Sequence, residues 1–436
     1  MNISYSQHRL PNGLDILIHE DHGCPIVAVN LWYHVGSKNE KPGRTGFAHL
    51  FEHLMFEGSQ HYDRGFFQPL QEAGASLNGS TNADRTNYWE VVPTNALELA
   101  LWMESDRMGY LLPALTDAKF ENQREVVLNE RRQNYENRPY GFAGMALAAS
   151  LYAPDHPYHW MTIGGADDIR AARLDDVRAF FQTYYRPRNA SLALAGDVDT
   201  DQVLTMASDY FGPLDAGAEP PPVTFTTPPA IASEVRLLLE DRVELPRLYM
   251  AWHSPALFAE DDADLDLVGE VLASGKTSRL YRTLVYEQRI ATEIGASQNS
   301  REIGGFFQIV ATAAPGRTLA ELERAISDVL RGLIEHGPTA PEMERCQAQA
   351  EANFMYRLQT VGGFGGKGDQ LNTYNIYVGD PGFFETDLAR YRSVTPESMQ
   401  RAAREWLRPE ARVTLSVVPT GQVERALEGS QPVSVA

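Results

Sequence analysis

Two stretches of the sequence resemble each other at a spacing of about 220 residues, which limits the folds that the chain can adopt. An amphipathic segment that ends at Arg186-Pro187 is followed by an apolar strand pattern, and the same succession recurs at Arg408-Pro409, 222 positions later. The strand pattern around Trp32 also resembles the one around Trp252, 220 positions later. A chain of 436 residues divided in this way gives each half the usual size of a domain. We therefore expect a duplicated unit.

Prolines mark the junction between the two copies. The segment 213–230 contains Pro220-Pro221-Pro222 and Pro228-Pro229. Proline fixes φ and removes a backbone donor, so this composition is typical of an extended linker. The sequence predicts an N-terminal domain over 1–212, a linker over 213–230 and a C-terminal domain over 231–436.

Each half combines clusters of strands with clusters of helices. Asn12-Gly13 between apolar segments indicates a tight turn between strands. Helical periodicity predicts helices over 45–57, 94–109 and 117–137, with a strand pair over 75–92. Because strands and helices do not alternate strictly, the pattern indicates an α+β fold class with two similar sandwich domains.

Composition and charge narrow the function. Lys plus Arg is 38 and Asp plus Glu is 58, so the net charge is −20, which argues against nucleic acid as a partner. The chain has no apolar run long enough to span a membrane. Cys24 and Cys346 lie in different halves and form no metal-ligand pair. No secretory pattern opens the chain, so we expect a cytoplasmic protein, or a periplasmic one if a signal peptide was removed.

The chemistry concentrates in one predicted helix that carries an H-x-x-E-H motif. His49 and His53 are four residues apart, which places both imidazoles on the same side of a helix, where they can chelate one zinc ion. Glu52 is three residues after His49 and can reach a water molecule beside that ion. The alternative is a helix with two surface histidines and a solvated glutamate.

A catalytic zinc site needs a third protein ligand and one open position. The long helix predicted over 117–137 offers Glu130, 77 residues beyond His53, and Gln123 lies on the same helix face two turns earlier. A single acidic residue on a helix is usually solvated. Only the combination with the H-x-x-E-H motif makes Glu130 a candidate.

The sequence resembles the inverzincin peptidases, the family of pitrilysin, insulysin, mitochondrial processing peptidase and their smaller bacterial relatives. The resemblance runs over essentially the whole chain and rests on four blocks: 12–14, 35–40, 46–58 and 78–88. It implies Glu130 as the third zinc ligand and one Zn2+ per chain. It also implies two similar α+β domains that face each other across a substrate chamber, only the first holding zinc. The family usually has a glutamate where this chain has Gln123, which can still hydrogen-bond next to the ligands.

The second half lacks the ligands. At an offset of 220, the motif residues correspond to Gly269, Leu272 and Ala273, and at an offset of 223 Glu130 corresponds to Asn353. Active family members also use an arginine and a tyrosine from a domain of this second type, whereas the expected tyrosine position here reads Thr292. The resemblance therefore implies a partner: a homologous zinc-free subunit that supplies these residues, or a second copy of this chain.

The substrate would lie along the strand predicted near the metal. Asn78 and Gly79 are candidates for main-chain contact with a peptide, although an ordinary β-turn explains them equally well. Phe56 could line a pocket or belong to the core. The glycine-rich segment 362–368 does not follow a strand in the P-loop pattern, so we do not expect a nucleotide site.

The sequence thus predicts a zinc-dependent endopeptidase that hydrolyses peptides or unfolded segments, with Glu52 as the proton acceptor. The alternatives are a non-catalytic core or scaffold subunit and a peptide-binding protein of the same fold.

Overall fold

Two six-stranded sheets form the framework of the protein, and five strands of each follow the same order, whereas the outer strands β1 and β12 differ. The computed structural model describes residues 2–228 and 231–435, so Pro229 and Ala230 of the predicted linker lie outside the described residues. The first sheet has the order β1-β2-β6-β3-β5-β4 and the second the order β12-β7-β11-β8-β10-β9. The strands are β1 Ser6–Arg9, β2 Asp15–Glu20, β3 Ile26–Tyr33, β4 Ser76–Thr81, β5 Thr86–Pro93, β6 Ala190–Gly196, β7 Val235–Asp241, β8 Arg247–Ser254, β9 Ala291–Asn299, β10 Gly305–Ala313, β11 Val413–Pro419 and β12 Gln431–Pro432.

The helices surround these sheets. They are α1 Phe47–Leu54, α2 Phe67–Glu72, α3 Leu97–Ala114, α4 Asp117–Arg131, α5 Ala143–Leu151, α6 Ala166–Ala171, α7 Leu174–Tyr184, α8 Thr200–Tyr210, α9 Asp262–Ala273, α10 Leu319–His336, α11 Ala340–Gln359, α12 Lys367–Val378, α13 Phe384–Ser393 and α14 Pro396–Trp406. Two segments with π-helical hydrogen bonding, Arg132–Glu136 and Tyr281–Glu287, complete the regular helical structure together with short 3₁₀ turns. The predicted α+β class is confirmed.

The duplication is visible in how the strands pair. β2 and β6 are parallel with Asp15 opposite Ser191, and β7 and β11 are parallel with Val235 opposite Val413. In both sheets the next three neighbours along the order pair antiparallel. Such a mixed sheet is a specific topology, so its occurrence twice in one chain confirms the repeat that the spacing predicted.

The tryptophan match that helped to reveal the repeat does not join equivalent positions. Ser191 and Val413 occupy equivalent places, since they are 222 positions apart, the offset of the Arg-Pro match. Trp32 lies opposite Ser191, whereas Ala251 lies opposite Val413. Trp32 therefore corresponds to Ala251, and the counterpart of Trp252 is Tyr33. A shift of one residue turns a strand side chain to the other face of its sheet. Trp252 accordingly lies in the apolar core of its unit, while the Trp32 indole turns toward Asp369 on the opposite face of its sheet.

The compact units are built from discontinuous stretches of chain. Unit 1 comprises residues 1–130, 160–225 and 353–386, and unit 2 comprises 131–159, 226–352 and 387–436. Each half of the chain thus contributes one segment to the unit of the other half. The predicted boundaries at 212 and 231 describe where one copy ends and the next begins along the sequence, and they stay a prediction.

Helices cover both faces of the sheet in unit 1. The alternate residues Tyr88 and Glu90 of β5 face α3, whereas Asn87 and Trp89 face the segment that leads into α12. The glycine-rich segment 362–368 leads into α12 and covers this second face of the sheet. A β-carbon on Gly362 would lie 2.6 Å from Ala28 Cβ, so only glycine fits against the sheet at this position. Helix α1, which carries the predicted motif, packs against β4 and α7 of the same unit.

In unit 2 the core lies between the sheet and helices α9, α10 and α14. Trp252, Phe307 and Leu265 are fully buried in it. The other face of this sheet receives α5, which packs on β8 and β11.

Candidate metal centre

The helix with the H-x-x-E-H motif is anchored at its start by a buried carboxylate. Gly46 precedes α1 with φ of +88°, a conformation that favours glycine. The Glu40 side chain accepts hydrogen bonds from the Gly46 backbone N–H at 2.9 Å and from the Ala48 N–H at 2.8 Å. These N–H groups have no partner within the helix, so Glu40 acts as a cap supplied from outside it. Burial raises the pKa of Glu40 to about 8.

The three predicted ligands converge in unit 1. Glu130 Oε2 lies 3.5 Å from His49 Nε2 and 3.4 Å from His53 Nε2. One donor atom from each residue lies within 4.8 Å of the others. The side chains are 13%, 23% and 33% exposed for His49, His53 and Glu130 respectively, so the cluster is reachable from solvent. Two imidazoles and one carboxylate form the donor set of a zinc site that keeps one position open.

Helix α4 delivers Glu130 because its apolar residues fix its rotation. Val127, one turn before Glu130, is fully buried and Leu128 is nearly so. The hydrogen bonding changes to the π-helical pattern directly after Arg131. Such irregular turns often occur at functional sites.

The two imidazoles differ in their electrostatic surroundings. Burial holds the pKa of His49 well below its usual range. Burial also opposes the charged form of His53, but its hydrogen bond to Glu130 and the charges of Glu52 and Glu130 outweigh that effect and raise its pKa. The site therefore places the neutral imidazole of His49 next to His53, whose surroundings favour positive charge. Such surroundings suit a cation.

Glu52 lies on the same helix turn as the two histidines. Burial raises the pKa of its carboxyl, while a hydrogen bond with the Thr81 side chain and the nearby charges of His53 and Arg85 act in the opposite direction. A carboxylate with a raised pKa is a better proton acceptor at neutral pH. Thr81 belongs to β4, so the same strand that forms the edge of the sheet also contacts Glu52.

Gln123 is partly buried, and its predicted role next to the ligands stays a prediction. Its Nε2 donates to the carboxylate of Glu57, and Gln123 is one of the smaller influences that raise the pKa of His53. Glu57 follows α1 by three residues and was not singled out from the sequence. A carboxylate in a loop leaves no periodic signal, so only the fold could identify it.

The predicted peptide-binding residues lie on an edge strand. β4 pairs only with β5 in the described sheet, which leaves its other edge open. A β-carbon on Gly79 would lie 3.1 Å from the Phe56 ring, so Phe56 packs against this strand. Phe56 is half-buried among Phe66, Phe67 and Tyr88. The Asn78 side chain accepts from the Gly79 N–H at 2.8 Å. Their roles toward substrate stay predictions.

A buried ion pair behind Phe56 was also not foreseen. Arg107 is 1% exposed and donates to Glu104, and its guanidinium lies 3.7 Å from the ring centroid of Phe66 and 4.1 Å from that of Tyr88. The Glu-x-x-Arg spacing on a predicted helix is common on solvated faces, so nothing in this spacing predicts a place in the core.

Comparison with known proteins connects these features to a family. Residues 15–155 match the profile of insulinase, peptidase family M16, and residues 171–350 match the profile described as the peptidase M16 inactive domain. The zinc protease PqqE of Helicobacter pylori is 29% identical over 356 residues, which cover 80% of this chain and 79% of that protein. An uncharacterized zinc protease of Streptomyces coelicolor is 25% identical over 421 residues, covering 94% and 88%.

Solved structures show the same fold. The crystal structure of a protease from Helicobacter pylori superposes with a TM-score of 0.89 at 24% identity, covering 96% of this chain and 100% of that chain. A peptidase M16 inactive domain from Pseudomonas fluorescens gives 0.84 at 19% identity, covering 96% and 98%. Among the described helices, none has the length and apolar character needed to cross a membrane.

Proposed function

The chain belongs to the insulinase family of M16 peptidases, and from that premise we propose that it is a zinc-dependent endopeptidase acting on peptides or unfolded polypeptide segments. The observation that carries the proposal is the convergence of His49, His53 and Glu130 beside Glu52. The first two come from one helix and Glu130 from another, so the cluster depends on the fold and not on sequence proximity alone.

His49, His53 and Glu130 would hold the metal. Both imidazoles present Nε2 to the same carboxylate oxygen, and all three side chains are partly exposed. A catalytic zinc site needs three protein ligands and one open position, which this donor set would supply. A bound zinc ion would supply a Lewis acid that lowers the pKa of a neighbouring water molecule toward about 7.

Glu52 is the residue that would move protons. Its carboxylate would accept the proton of the attacking water and deliver it to the nitrogen of the leaving amine. Burial raises the pKa of this carboxyl, and Thr81 of β4 acts in the opposite direction. The raised pKa suits both steps, because the group must first accept the proton and then release it.

Strand β4 would bind the substrate backbone. Its free edge can accept an extended peptide by main-chain hydrogen bonds, which give affinity with little sequence preference. Asn78 and Gly79 lie in the middle of this edge, and Phe56 packs behind Gly79. Unstructured peptides therefore fit the site better than folded proteins.

We also propose that the active enzyme contains a second subunit. The position where the family resemblance places a carbonyl-binding tyrosine is Thr292, at the start of β9. A homologous zinc-free subunit that supplies an arginine and a tyrosine would complete the site, and a homodimer with a different carbonyl clamp is the alternative. Adding candidate partner subunits to the cleavage assay distinguishes the two.

The test measures zinc content and cleavage of an unstructured fluorogenic peptide for the unaltered protein and for Glu52→Gln, each with and without the candidate partner subunit. We expect about one zinc per chain in both proteins and a fall in kcat of roughly 10³-fold in the variant, because only the proton acceptor is removed. Glu125→Gln, an exposed position on α4, serves as the matched control and should keep full activity. Full activity of Glu52→Gln would refute the assignment.

A non-catalytic scaffold or peptide-binding protein is the second candidate. The match of residues 171–350 to an inactive domain favours it. The three ligands, however, all lie within 15–155, the range that matches the insulinase profile. A protein that binds zinc but cleaves no peptide with any candidate partner would support the scaffold.

A further inference from the structure

A cavity of about 330 Å³ lies in unit 2, where β8 ends and β10 begins. The described residues that line it all belong to unit 2. Much of its wall is apolar and is formed by Pro255, Ala256, Ile303, Trp406 and Ala411. Sites for small molecules typically have volumes of about 300–1,000 Å³, mainly apolar walls and a few polar groups. The cavity therefore has the size and the character of a small-molecule site.

Two polar atoms of the lining residues are buried without a hydrogen-bond partner among the described residues. They are Nε2 of His253 and Oγ of Ser254, and Ser254 is only 6% exposed. Gly305 pairs directly with Ser254 in the sheet, and a β-carbon at this glycine would lie 2.6 Å from the Ser254 Oγ. Because buried polar atoms are nearly always paired with protein, water or ligand, these two atoms indicate that the cavity has an occupant.

Other polar groups on the same wall are satisfied within unit 2. The Tyr152 hydroxyl donates to the Gly305 carbonyl at 3.2 Å, and Trp406 Nε1 donates to the carboxylate of Asp261 at 3.1 Å. These hydrogen bonds set the His253 and Ser254 side chains apart from their neighbours.

The first copy of the duplicated unit treats the same imidazole differently. Since Tyr33 corresponds to Trp252, the next residue along each strand makes His34 the counterpart of His253. The Nε2 atom of His34 lies 3.3 Å from Lys38 Nζ. The imidazole nitrogen at this strand position thus has a partner from its own chain in unit 1, but lacks one among the described residues of unit 2.

The chemistry of the wall favours a neutral ligand. Burial lowers the pKa of His253, so its ring is uncharged at pH 7. Arg408 and Glu405 also line the cavity, but they are exposed and carry opposite charges. A buried ionised group would need a charged partner, which neither His253 nor Ser254 provides.

The hydrogen-bonding capacity of the two atoms narrows the ligand further. The Ser254 hydroxyl can donate and accept, and the neutral imidazole nitrogen does one or the other, depending on its tautomer. A ligand hydroxyl also donates and accepts, so it can pair with both atoms in either case.

We propose that this cavity binds a neutral, mainly apolar small molecule of the phenol or alcohol type, whose hydroxyl hydrogen-bonds with His253 and Ser254. The inference does not rest on the proposed peptidase function, since none of the candidate zinc ligands lines the cavity. It assigns a ligand site to the half of the chain that lacks the metal ligands.

The experiment is a calorimetric titration of the full-length protein with three probes that share one ring system: 2-naphthol, naphthalene and 2-naphthoate. We expect 2-naphthol to bind. Naphthalene should bind about 10-fold more weakly, because it leaves both polar atoms unpaired. The anion 2-naphthoate should bind at least as weakly as naphthalene, because its charge would be buried without a partner.

Ser254→Ala tests the polar contact. It should weaken 2-naphthol binding by roughly 3–10-fold and leave naphthalene binding unchanged, because only the first probe uses the hydroxyl. The melting temperature of the ligand-free variant should not fall, because the hydroxyl has no partner in the protein to lose. A purely structural serine would lower this melting temperature.

Ala256→Phe tests the position of the site, because the larger side chain fills the cavity. It should abolish binding of both 2-naphthol and naphthalene. Ala348→Phe, on the exposed face of α11, is the matched control and should bind both probes like the unaltered protein. Melting of both variants without ligand shows that they are folded.

The outcomes are distinct. Failure of 2-naphthol to bind, or equal binding of all three probes, overturns the proposal, and the cavity then holds water alone. Binding that survives Ala256→Phe in a folded protein also overturns it. Preference for 2-naphthol that is lost in Ser254→Ala and kept in Ala348→Phe supports it. Zinc content and peptide cleavage are measured separately, so neither result decides the proposed function.

Discussion

Helices α1 and α9 follow a central strand of matching sheets, yet only α1 presents metal ligands. In unit 1 the polar side of α1 carries His49, Glu52 and His53, with Glu130 opposite. Helix α9 contains no histidine. The same scaffold therefore carries a candidate metal site on its helix in unit 1, whereas the corresponding helix in unit 2 carries no imidazole.

The polar side of α9 is engaged in a different way. Asp262 accepts from Arg390, and Asp266 accepts from the Tyr391 hydroxyl at 2.6 Å. Gly269, which the 220 offset pairs with His49, lies against β9: a β-carbon there would be 3.4 Å from the Ala296 carbonyl oxygen. On α9 of unit 2, ion pairs and backbone contacts thus take the place that the imidazoles have on α1 of unit 1.

We expect the largest effect from the loss of a predicted zinc ligand, which tests whether only unit 1 binds zinc. His49→Ala should lower zinc affinity by more than the roughly 100-fold that loss of an outer hydrogen-bond partner costs in zinc proteins, because a direct ligand is lost. His253→Ala removes a half-buried imidazole of unit 2 and is the matched control, for which we expect unchanged zinc stoichiometry and affinity. A second zinc ion lost from the His253 variant would break the comparison.

The next effect concerns the core of unit 2. Trp252 is fully buried and packs near Phe307, so Trp252→Ala should lower the free energy of unfolding by about 3–5 kcal/mol. Denaturant titration of the zinc-free protein measures this. The zinc affinity of the folded variant should stay unchanged, and a large loss of zinc affinity would contradict the independence of the unit 1 site.

A smaller effect distinguishes the two tryptophans. Trp32 Nε1 donates to the buried carboxylate of Asp369 at 2.9 Å, whereas Trp252 Nε1 donates to the Arg408 carbonyl at 2.9 Å. Trp32→Phe should cost roughly 1.5–3 kcal/mol because its partner is charged, and Trp252→Phe about 0.5–1.5 kcal/mol for the hydrogen bond alone. Chemical unfolding of both variants would show whether this order holds.

The smallest effect is a pH dependence at the start of α1. The pKa of Glu40 is raised by burial from 4.5 to about 8, so the folded protein holds this proton more tightly than the unfolded chain. Its contribution to stability is complete below pH 4.5 and is lost as the pH rises through 8.

Melting of the zinc-free protein and of Glu40→Gln between pH 5 and 9 tests this, with zinc removed so that metal binding does not add its own pH dependence. Relative to the variant, the unaltered protein should lose roughly 2–6 °C over this range. Parallel melting curves would show that Glu40 does not titrate there.

Much of the fold and part of the site could be predicted from local patterns. The helix predicted over 45–57 is α1, the strand pair over 75–92 is β4 and β5, and the helix over 117–137 continues from α4 into the π-helical segment. These predictions succeeded because hydrophobic periodicity and turn residues act over a few neighbours. The match of Trp32 with Trp252 was wrong by one residue. Similar apolar patterns do not show the strand register, and the register decides which face of the sheet each side chain takes.

Spacing along the chain was enough to predict that the chain is duplicated and that His49, Glu52 and His53 share one side of a helix. Only the tertiary structure brought Glu130 to both imidazoles, placed Glu57 behind Gln123 and assigned residues 131–159 and 353–386 to the units of the opposite halves. The reason is physical: a helix turn is set by neighbours three or four residues away. Contacts between distant segments depend on which faces the whole chain can bury together.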